Sequence, residues 1–236
     1  MLELREVSKR FGAVQAVSGV SLSVSEGEVV GFLGANGAGK STTLRMMAGY
    51  LRPDSGRVLV AGHDTVRDGV AARRLTGYLP ENAPVYGEMT VRSFLEYCAG
   101  LRGVVRGERA AEVSRVASLT SLEPVLGRRV GTLSKGYVHR VCLSQSLLGG
   151  PRLLLLDEPT DGLDPVQKRE VQSLIGELGR RCAIVVSSHI LSEVESMCTR
   201  VVLIAGGRLR LDAPVSEVRG HLGELFETGD VESGGR

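Results

Sequence analysis

The sequence predicts an α/β fold, because unbroken apolar runs alternate with segments whose apolar residues have helical spacing. Leu153–Leu156, Ala183–Val186 and Val201–Ala205 are such runs, and they suit strands that are covered on both faces. Between the first two, Val166–Gly179 has apolar side chains at helical intervals. This order predicts a parallel sheet with helices packed on its faces.

A glycine-rich loop follows another apolar run, Val29–Leu33. The loop reads Gly-Ala-Asn-Gly-Ala-Gly-Lys-Ser-Thr and fits G-x-x-x-x-G-K-[ST], the pattern of a phosphate-binding P-loop between a strand and a helix. Glycines let successive N–H groups face one phosphate, and the expected helix Ser41–Ala48 adds its dipole. The predicted nucleotide-binding residues of this loop are Gly34, Asn36, Gly37, Ala38, Gly39, Lys40, Ser41 and Thr42.

Two side chains of the loop have specific expected roles. Lys40 brings a positive charge to the β- and γ-phosphates and supports catalysis there, and the Ser41 hydroxyl can ligate Mg²⁺. A glycine-rich turn with an incidental lysine is the alternative, and its placement between strand and helix argues against it. We therefore predict a P-loop NTPase fold.

Two further regions extend this core. Leu2–Val7, the alternating segment around Leu22 and Arg57–Ala61 indicate an antiparallel β layer beside the P-loop. In the middle of the chain, Thr90 is a plausible N-cap before a stretch with helical spacing. Residues 84–147 are therefore expected to form a mainly helical insertion.

Composition limits the function classes. The 236 residues are 24% charged and 42% apolar with a net charge of +2, which is ordinary for a globular protein and predicts no nucleic-acid partner. The four cysteines lack metal or redox spacing, which suits reduced thiols in a cytoplasmic protein. The charged start argues against a signal peptide, and no apolar run approaches the ~20 residues of a membrane span. At a membrane, another chain would have to hold this one.

Two acids end the buried strand Leu153–Leu156. In a P-loop fold the first, Asp157, reaches the Mg²⁺ shell, and the second, Glu158, can polarise the attacking water. Capping of the next helix is the alternative for both. His189 ends another buried strand, where a neutral imidazole could bridge the γ-phosphate and the water, although a lone histidine there is otherwise structural.

A second anion-binding arrangement lies at Leu133–Tyr137, before the expected helix Val138–Leu148. Ser134 and Gly136 would bring a hydroxyl, free N–H groups and a helix dipole together. A plain serine cap is the alternative for this segment.

With these residues assembled, the chain resembles the ATP-binding cassette of an ABC transporter from about Leu2 to Glu217. The motifs stand in the family's order, with the Walker A loop at Gly34–Thr42, the signature at Leu133–Tyr137, the Walker B strand at Leu153–Glu158, the D-loop at Gly162-Leu163-Asp164 and the switch histidine at His189. The resemblance places Phe11 where the family stacks an aromatic ring on adenine, and adds Asp164 to the nucleotide site. It implies one domain over residues 1–228 with a RecA-like core sheet and a helical subdomain at about 84–147. The polar, glycine-rich residues 229–236 are expected to be a disordered tail.

The sequence departs from the family pattern at four positions. The signature is normally Leu-Ser-Gly-Gly-Gln, and Lys135 and Tyr137 replace its third and fifth residues while the phosphate-facing serine and glycine are kept. Glu81 stands where glutamine is usual, and its carboxylate can still approach Mg²⁺ or its waters. His139 also replaces a common glutamine.

The resemblance implies how the chain works. Two cassettes, identical or closely paralogous, pair head to tail, so that ATP on one Walker A loop is covered by Ser134 and Gly136 of the other, and a separate membrane permease receives the motion. The wording Leu79-Pro80-Glu81-Asn82 and the Leu-Ser-Lys-Gly-Tyr signature are similar to bacterial export cassettes, including those of gliding motility and copper-enzyme maturation. This predicts a location on the inner face of the cell membrane.

Two rival classes fit less well. A soluble ABC ATPase acting on ribosomes or DNA would usually carry two cassettes, a long coiled coil or paired cysteines. A P-loop GTPase would carry Asn-Lys-x-Asp, and a small-molecule kinase would leave Ser134, Asp164 and His189 without a common purpose.

Overall fold

A computed structural model describes residues 1–82, 84–218 and 220, which form two sheets and the helices around them. The strands are β1 (Leu2–Phe11), β2 (Val14–Val24), β3 (Val29–Leu33), β4 (Ser55–Val60), β5 (His63–Asp64), β6 (Thr76–Leu79), β7 (Leu153–Asp157), β8 (Ala183–Ser188), β9 (Arg200–Ala205) and β10 (Arg208–Pro214). The α-helices are α1 (Lys40–Met47), α2 (Gly69–Leu75), α3 (Val91–Leu101), α4 (Arg109–Leu119), α5 (Lys135–Leu147), α6 (Pro165–Leu178), α7 (Leu191–Met197) and α8 (Val215–Val218).

The larger sheet has six strands in the order β10-β9-β3-β8-β7-β6. The five adjacent strands from β9 to β6 run parallel to one another, which confirms the predicted parallel sheet. The edge strand β10 is antiparallel to β9 and was not predicted. Because β3 lies between β8 and β9, the P-loop leaves the middle of the sheet.

The smaller sheet confirms the predicted antiparallel layer, with strand order β2-β1-β4-β5. Strands β1 and β2 form a long hairpin that brings Phe11 opposite Val14. The alternating side chains Val20, Leu22 and Val24 are buried, as the serines between them predicted.

Alternate residues of the central strands enter two separate hydrophobic cores. In β3, Val29 and Leu33 belong to the core that includes the helical region, whereas Val30 and Phe32 pack toward the antiparallel layer. Full burial of each such side chain stabilises the fold by roughly 1.5–3 kcal/mol. Coverage on both faces explains why these strands have unbroken apolar sequences.

The middle of the chain is helical, as predicted. Helices α3, α4 and α5 pack together, and the Thr90 hydroxyl accepts a hydrogen bond from the Ser93 N–H at the start of α3. Three helix starts differ from the prediction, and one of them is α6, which begins at Pro165 rather than at Val166. Helix α5 begins at Lys135 rather than at Val138, because Ser134 caps it and the first turn is polar. Helix α1 begins at Lys40, one residue before the expected start.

The four cysteines, Cys98, Cys142, Cys182 and Cys198, are buried free thiols. Burial raises the pKa of the first three to about 11 and that of Cys198 to about 12. Across residues 1–82, 84–218 and 220, no helix has the length and apolar character that a membrane crossing requires. The expected tail, residues 229–236, lies outside the described residues.

Candidate active site

The loop between β3 and α1 has a backbone that only glycine fits at two points. Gly39 has φ +105°, and a Cβ there would lie 2.5 Å from the carbonyl oxygen of Ala16. At Gly34, a Cβ would lie 2.5 Å from the carbonyl oxygen of Ile204. The hairpin strand β2 and strand β9 therefore press directly against the loop. Gly39 is also the N-cap of α1, and it has no side chain that could accept from the first-turn N–H groups.

Lys40 is buried within the curve of this loop. Its Nζ donates to the carbonyl oxygens of Gly34 at 2.7 Å and of Ala35 at 3.3 Å. The same nitrogen lies 3.5 Å from Oε1 of Glu158. A buried ammonium needs such partners because an unpaired charge is costly to desolvate. The charge therefore stands between the loop and the second acid of β7.

Asp157 ends β7 and is almost fully buried. Its Oδ1 accepts from the Ser187 hydroxyl at 2.7 Å and lies 3.2 Å from the Ser41 hydroxyl oxygen. Its Oδ2 is buried and has no hydrogen-bond partner in the described part of the chain. A buried carboxylate oxygen without a partner, beside a hydroxyl, fits the oxygen ligands that Mg²⁺ prefers.

These residues are not a complete metal cage. Within residues 1–82, 84–218 and 220, no three His, Cys, Asp or Glu side chains come together as metal ligands. Mg²⁺ at nucleotide sites typically binds one or two protein oxygens, phosphates and waters, so the small protein contribution suits that ion.

Glu158 is held in a strained backbone conformation with φ +51°. Its N–H donates to the Ser187 hydroxyl at 2.9 Å, and its Oε2 lies 2.9 Å from Nδ1 of His189. A left-handed residue other than glycine costs on the order of 1–3 kcal/mol, and such residues cluster at functional sites. When Glu158 is ionised, Nδ1 must donate because a carboxylate only accepts, which leaves Nε2 as the acceptor of a neutral imidazole.

A cavity of about 460 Å³ joins these groups. Of the residues predicted for the site, it is lined by Asn36, Gly37, Gly39, Lys40, Ser41, Thr42, Glu81, Glu158 and His189. Ala16 and Asp161 also line it, and sequence reasoning missed both. The sequence offered a weak sign of Asp161, because this residue closely follows Asp157 and Glu158. No sequence pattern marks Ala16, which the β1–β2 hairpin places beside the cavity. The P-loop, Glu158 and His189 thus form one site, which we call the active-site cavity. The predicted residue Asp157 does not line it and contacts it through Ser41.

Several predicted residues lie outside this cavity. Gly34 and Ala38 support the loop from behind, Ala38 lining a separate small pocket beside β9. Phe11 ends β1 with 51% of its surface exposed, and Nζ of Lys9 lies 5.7 Å from its ring centroid. Its predicted contact with adenine stays a prediction.

Ser134, Gly136 and Asp164 form a second region at the N termini of α5 and α6, which we call the α5–α6 edge. Ser134 caps α5, and its hydroxyl accepts from the Tyr137 N–H at 3.5 Å. Asp164 caps α6 and accepts from the N–H groups of Val166 and Gln167, both at 2.9 Å. Ser134 therefore acts as the N-cap of α5, which was the alternative to phosphate binding. A capping serine can still bind phosphate, so both roles are compatible.

Two residues that depart from the family pattern, one in the signature and one after it, lie on α5. Tyr137 lies against the Arg140 guanidinium, 5.7 Å from ring centroid to carbon. The His139 Nδ1 is buried without a partner among the described residues, and burial lowers the pKa of this imidazole against the opposing effect of Asp161.

A glycine cradle at the centre of a parallel sheet, a buried lysine within it and acids at the next strand end define a P-loop nucleoside triphosphatase. The comparisons with known proteins give the family. The family model described as ABC transporter matches residues 17–161. The chain belongs to the ABC transporter ATP-binding family and is an ABC ATPase domain that binds ATP. Neither a GTPase nor a small-molecule kinase is supported.

The relatives agree with this assignment. The chain is 36% identical over 234 residues to the ABC transporter ATP-binding protein NatA of Bacillus subtilis, covering 97% of this chain and 92% of that protein. It is 33% identical over 218 residues to ABC transporter A family member 1 of Dictyostelium discoideum, covering 92% of this chain but only 25% of that longer protein. A solved ATP binding subunit of an ABC transporter has a TM-score of 0.85 at 28% identity and covers 94% of this chain and 93% of its own.

Proposed function

We propose that this chain is the ATP-hydrolysing subunit that drives a separate membrane permease through ATP-dependent, head-to-tail pairing of two cassettes. The observation that carries the proposal is the division of its phosphate-binding groups between two regions. The active-site cavity holds Lys40 and Glu158, whereas Ser134 and Gly136 lie on the α5–α6 edge and do not line that cavity. A second copy or a close paralogue would supply the missing donors.

Within the cavity, each side chain has a proposed task. Lys40 and the loop N–H groups hold the β- and γ-phosphates, while Glu158 accepts a proton from the attacking water. His189 orients Glu158 by donating from Nδ1 in the 2.9 Å hydrogen bond, and its Nε2, the acceptor of the neutral imidazole, would accept from the attacking water beside the γ-phosphate. The Ser187 hydroxyl fixes both acids to β8 and so sets their spacing.

The metal of this site is proposed to be Mg²⁺. Asp157 and Ser41 would hold it. Glu81 lines the cavity, and its carboxylate would bind the ion or one of its waters. Bound there, Mg²⁺ would neutralise charge on the phosphate oxygens. The buried Oδ2 of Asp157, which has no hydrogen-bond partner among the residues that the structure describes, supports this assignment.

The coupled transport is proposed to be export, on the similarity of the Leu79–Asn82 segment and of the signature to export cassettes. The chain would then sit on the cytoplasmic face of the membrane, held by its permease. The domain would extend over residues 1–228, with the helical subdomain at about 84–147 facing the partner.

The test is affinity purification of a Glu158→Gln form from detergent-solubilised membranes in Mg-ATP, followed by identification of the proteins that accompany it. We expect a multi-span membrane protein at comparable yield, because loss of the general base keeps the pair closed on ATP. Glu177→Gln, which removes an exposed acid from α6, is the matched control and should retain less of that partner. Ribosomes, DNA or a soluble partner in its place would overturn the transporter proposal and favour a soluble ABC ATPase.

A further inference from the structure

A buried carboxylate outside the active-site cavity joins the segments that carry its catalytic groups. Glu193 lies in the first turn of α7 and is 6% exposed. The motifs of the chain do not include it, and it does not line the cavity.

Its two oxygens bind three different segments of the chain. Oε2 accepts from the Thr160 hydroxyl at 2.7 Å and from the Ser188 hydroxyl at 3.1 Å. Oε1 accepts from Nζ of Lys168 at 2.9 Å. Burial alone would raise the pKa of Glu193, but the bonds from Thr160, Lys168 and Ser188 together lower it.

Two of the three partners stand beside a residue of the proposed mechanism, and the third lies near the start of α6. Thr160 is two residues after Glu158, Ser188 immediately precedes His189, and Lys168 lies in the first turns of α6, which begins after Asp164. The carboxylate therefore ties the loop after β7 to the end of β8 from behind. The 2.9 Å contact between Glu158 and His189 spans the same two segments on the cavity side.

The burial of an ionisable carboxylate at Glu193 is unfavourable, so it is expected to serve a purpose. Taking a carboxylate out of water costs several kcal/mol, and an apolar residue of similar volume often serves stability as well or better. A purely structural tie between α7 and the sheet would not need three polar partners from three segments. The same arrangement does fix two loops at a defined separation, which the catalytic pair requires.

We propose that Glu193 is a positioning residue for ATP hydrolysis, which holds the Glu158 loop and the His189 segment at their working distance. The inference rests on the proposed roles of Glu158 and His189. Glu193 itself touches no substrate and acts through these two residues.

The test compares variants of the full chain by kcat, ATP affinity and melting temperature. Glu193→Ala should lower kcat at least about tenfold, since small misplacements of catalytic groups carry large rate penalties, with ATP affinity unchanged. Glu193→Gln should restore part of the rate, because its amide oxygen can still accept from Thr160 and Ser188. Thr160→Val and Ser188→Ala each remove one tie and should each lower kcat by less than Glu193→Ala. If Glu193→Ala fails to fold, these two variants still test the inference, and an unchanged kcat in both would contradict it.

Glu112→Ala is the matched control for loss of a hydrogen-bonded carboxylate. Glu112 accepts from Arg115 and from the Gly149 N–H in the helical region, away from the cavity. This variant should lower the melting temperature but leave kcat of the folded protein unchanged. An equal loss of kcat in the Glu112 and Glu193 variants would overturn the positioning role.

A double-mutant cycle isolates the mechanism. In a His189→Ala background the separation of the two loops no longer matters, so Glu193→Ala should lower kcat by less than about twofold further. The same fold-loss in both backgrounds, or an unchanged kcat in folded Glu193→Ala, contradicts the inference. Normal turnover in Glu158→Gln would contradict the proposed role of Glu158 itself. This result is distinguishable from a failure of the Glu193 inference, in which Glu158→Gln is inactive but folded Glu193→Ala keeps its kcat.

Discussion

The active-site cavity and the α5–α6 edge both present helix N termini, but they satisfy them differently. At α6, Asp164 accepts from two first-turn N–H groups at 2.9 Å, whereas at α5 the Ser134 cap is a single contact of 3.5 Å. At α1, Gly39 offers no side chain at all. The first-turn N–H groups of α1 are therefore free of a side-chain cap and suit an external anion, those of α6 are capped, and those of α5 are intermediate.

The charged groups follow the same division. In and beside the cavity, Lys40, Asp157 and Glu158 have partners from the loop, from β8 and from each other. At the α5–α6 edge, Lys135 is exposed on the first turn of α5. The charged groups of the active site are therefore paired within the chain, whereas Lys135 at the α5–α6 edge is exposed.

The largest effect should come from the acid of the cavity. Glu158→Gln removes the proposed general base while keeping its shape, and kcat should fall at least ~100-fold. ATP affinity, measured by equilibrium binding, should persist because the cradle and Lys40 are untouched. Near-normal turnover in a steady-state ATPase assay would remove Glu158 from this role.

Lys40 and Lys135 should differ in their effect on ATP affinity. Lys40→Ala deletes a buried cation that would bind the phosphates, and charged hydrogen bonds of about 1.5–3 kcal/mol predict roughly 10- to 100-fold weaker ATP binding. Lys135→Ala removes a cation from the α5–α6 edge and should leave the affinity of the monomer unchanged. Calorimetric titration at low protein concentration measures the ATP affinity of both variants. An equal loss of ATP affinity in the two variants would contradict the distinction between the two regions.

The loop glycines come third. Gly39→Ala places a Cβ at 2.5 Å from a backbone oxygen at φ +105°, which should cost about 1–3 kcal/mol of unfolding free energy. Gly37→Ala meets open space at φ +81° and should cost about 1 kcal/mol from backbone strain alone. Urea denaturation separates the two, and a larger loss at Gly37 would contradict the steric account.

The caps give the smallest effect on stability. Asp164→Ala should cost about 1 kcal/mol, and Ser134→Ala about 0.5 kcal/mol because its cap contact is long. Both are measured by urea denaturation. ATP-driven pairing, followed by size-exclusion chromatography, should nevertheless be lost in Ser134→Ala. Normal pairing in that variant would show that the altered signature does not bind phosphate.

The sequence predicted those parts of the fold whose local pattern matches their burial. The central strands have apolar side chains on both faces, and both faces are covered by the rest of the fold. Their unbroken apolar sequences therefore predicted them as strands of a buried sheet. Strand β10 was missed because its residues are charged or half-exposed at an edge, and helix α2 because only Ala72 is buried. The start of α5 was misplaced because capping, not apolar spacing, decides where it begins.

The site divides in a similar way. Lys40 stands in the P-loop motif, and Asp157 and Glu158 stand at the end of an apolar run, so a local pattern was sufficient to propose each of them. Ala16 and Glu193 are joined to the site by contacts between distant segments, and no local pattern marks such contacts. Their discovery needed the packing of the hairpin and of α7.

The burial of all four cysteines has a practical consequence for these experiments. A thiol whose pKa is raised to about 11 or 12 is almost entirely protonated near neutral pH, and protonated thiols react slowly with maleimides. The unmodified chain should therefore be nearly silent to labelling while it stays folded. A single cysteine introduced on the exposed surface could carry a fluorophore without replacing the native four, and slow exposure of those four would report unfolding in the same sample.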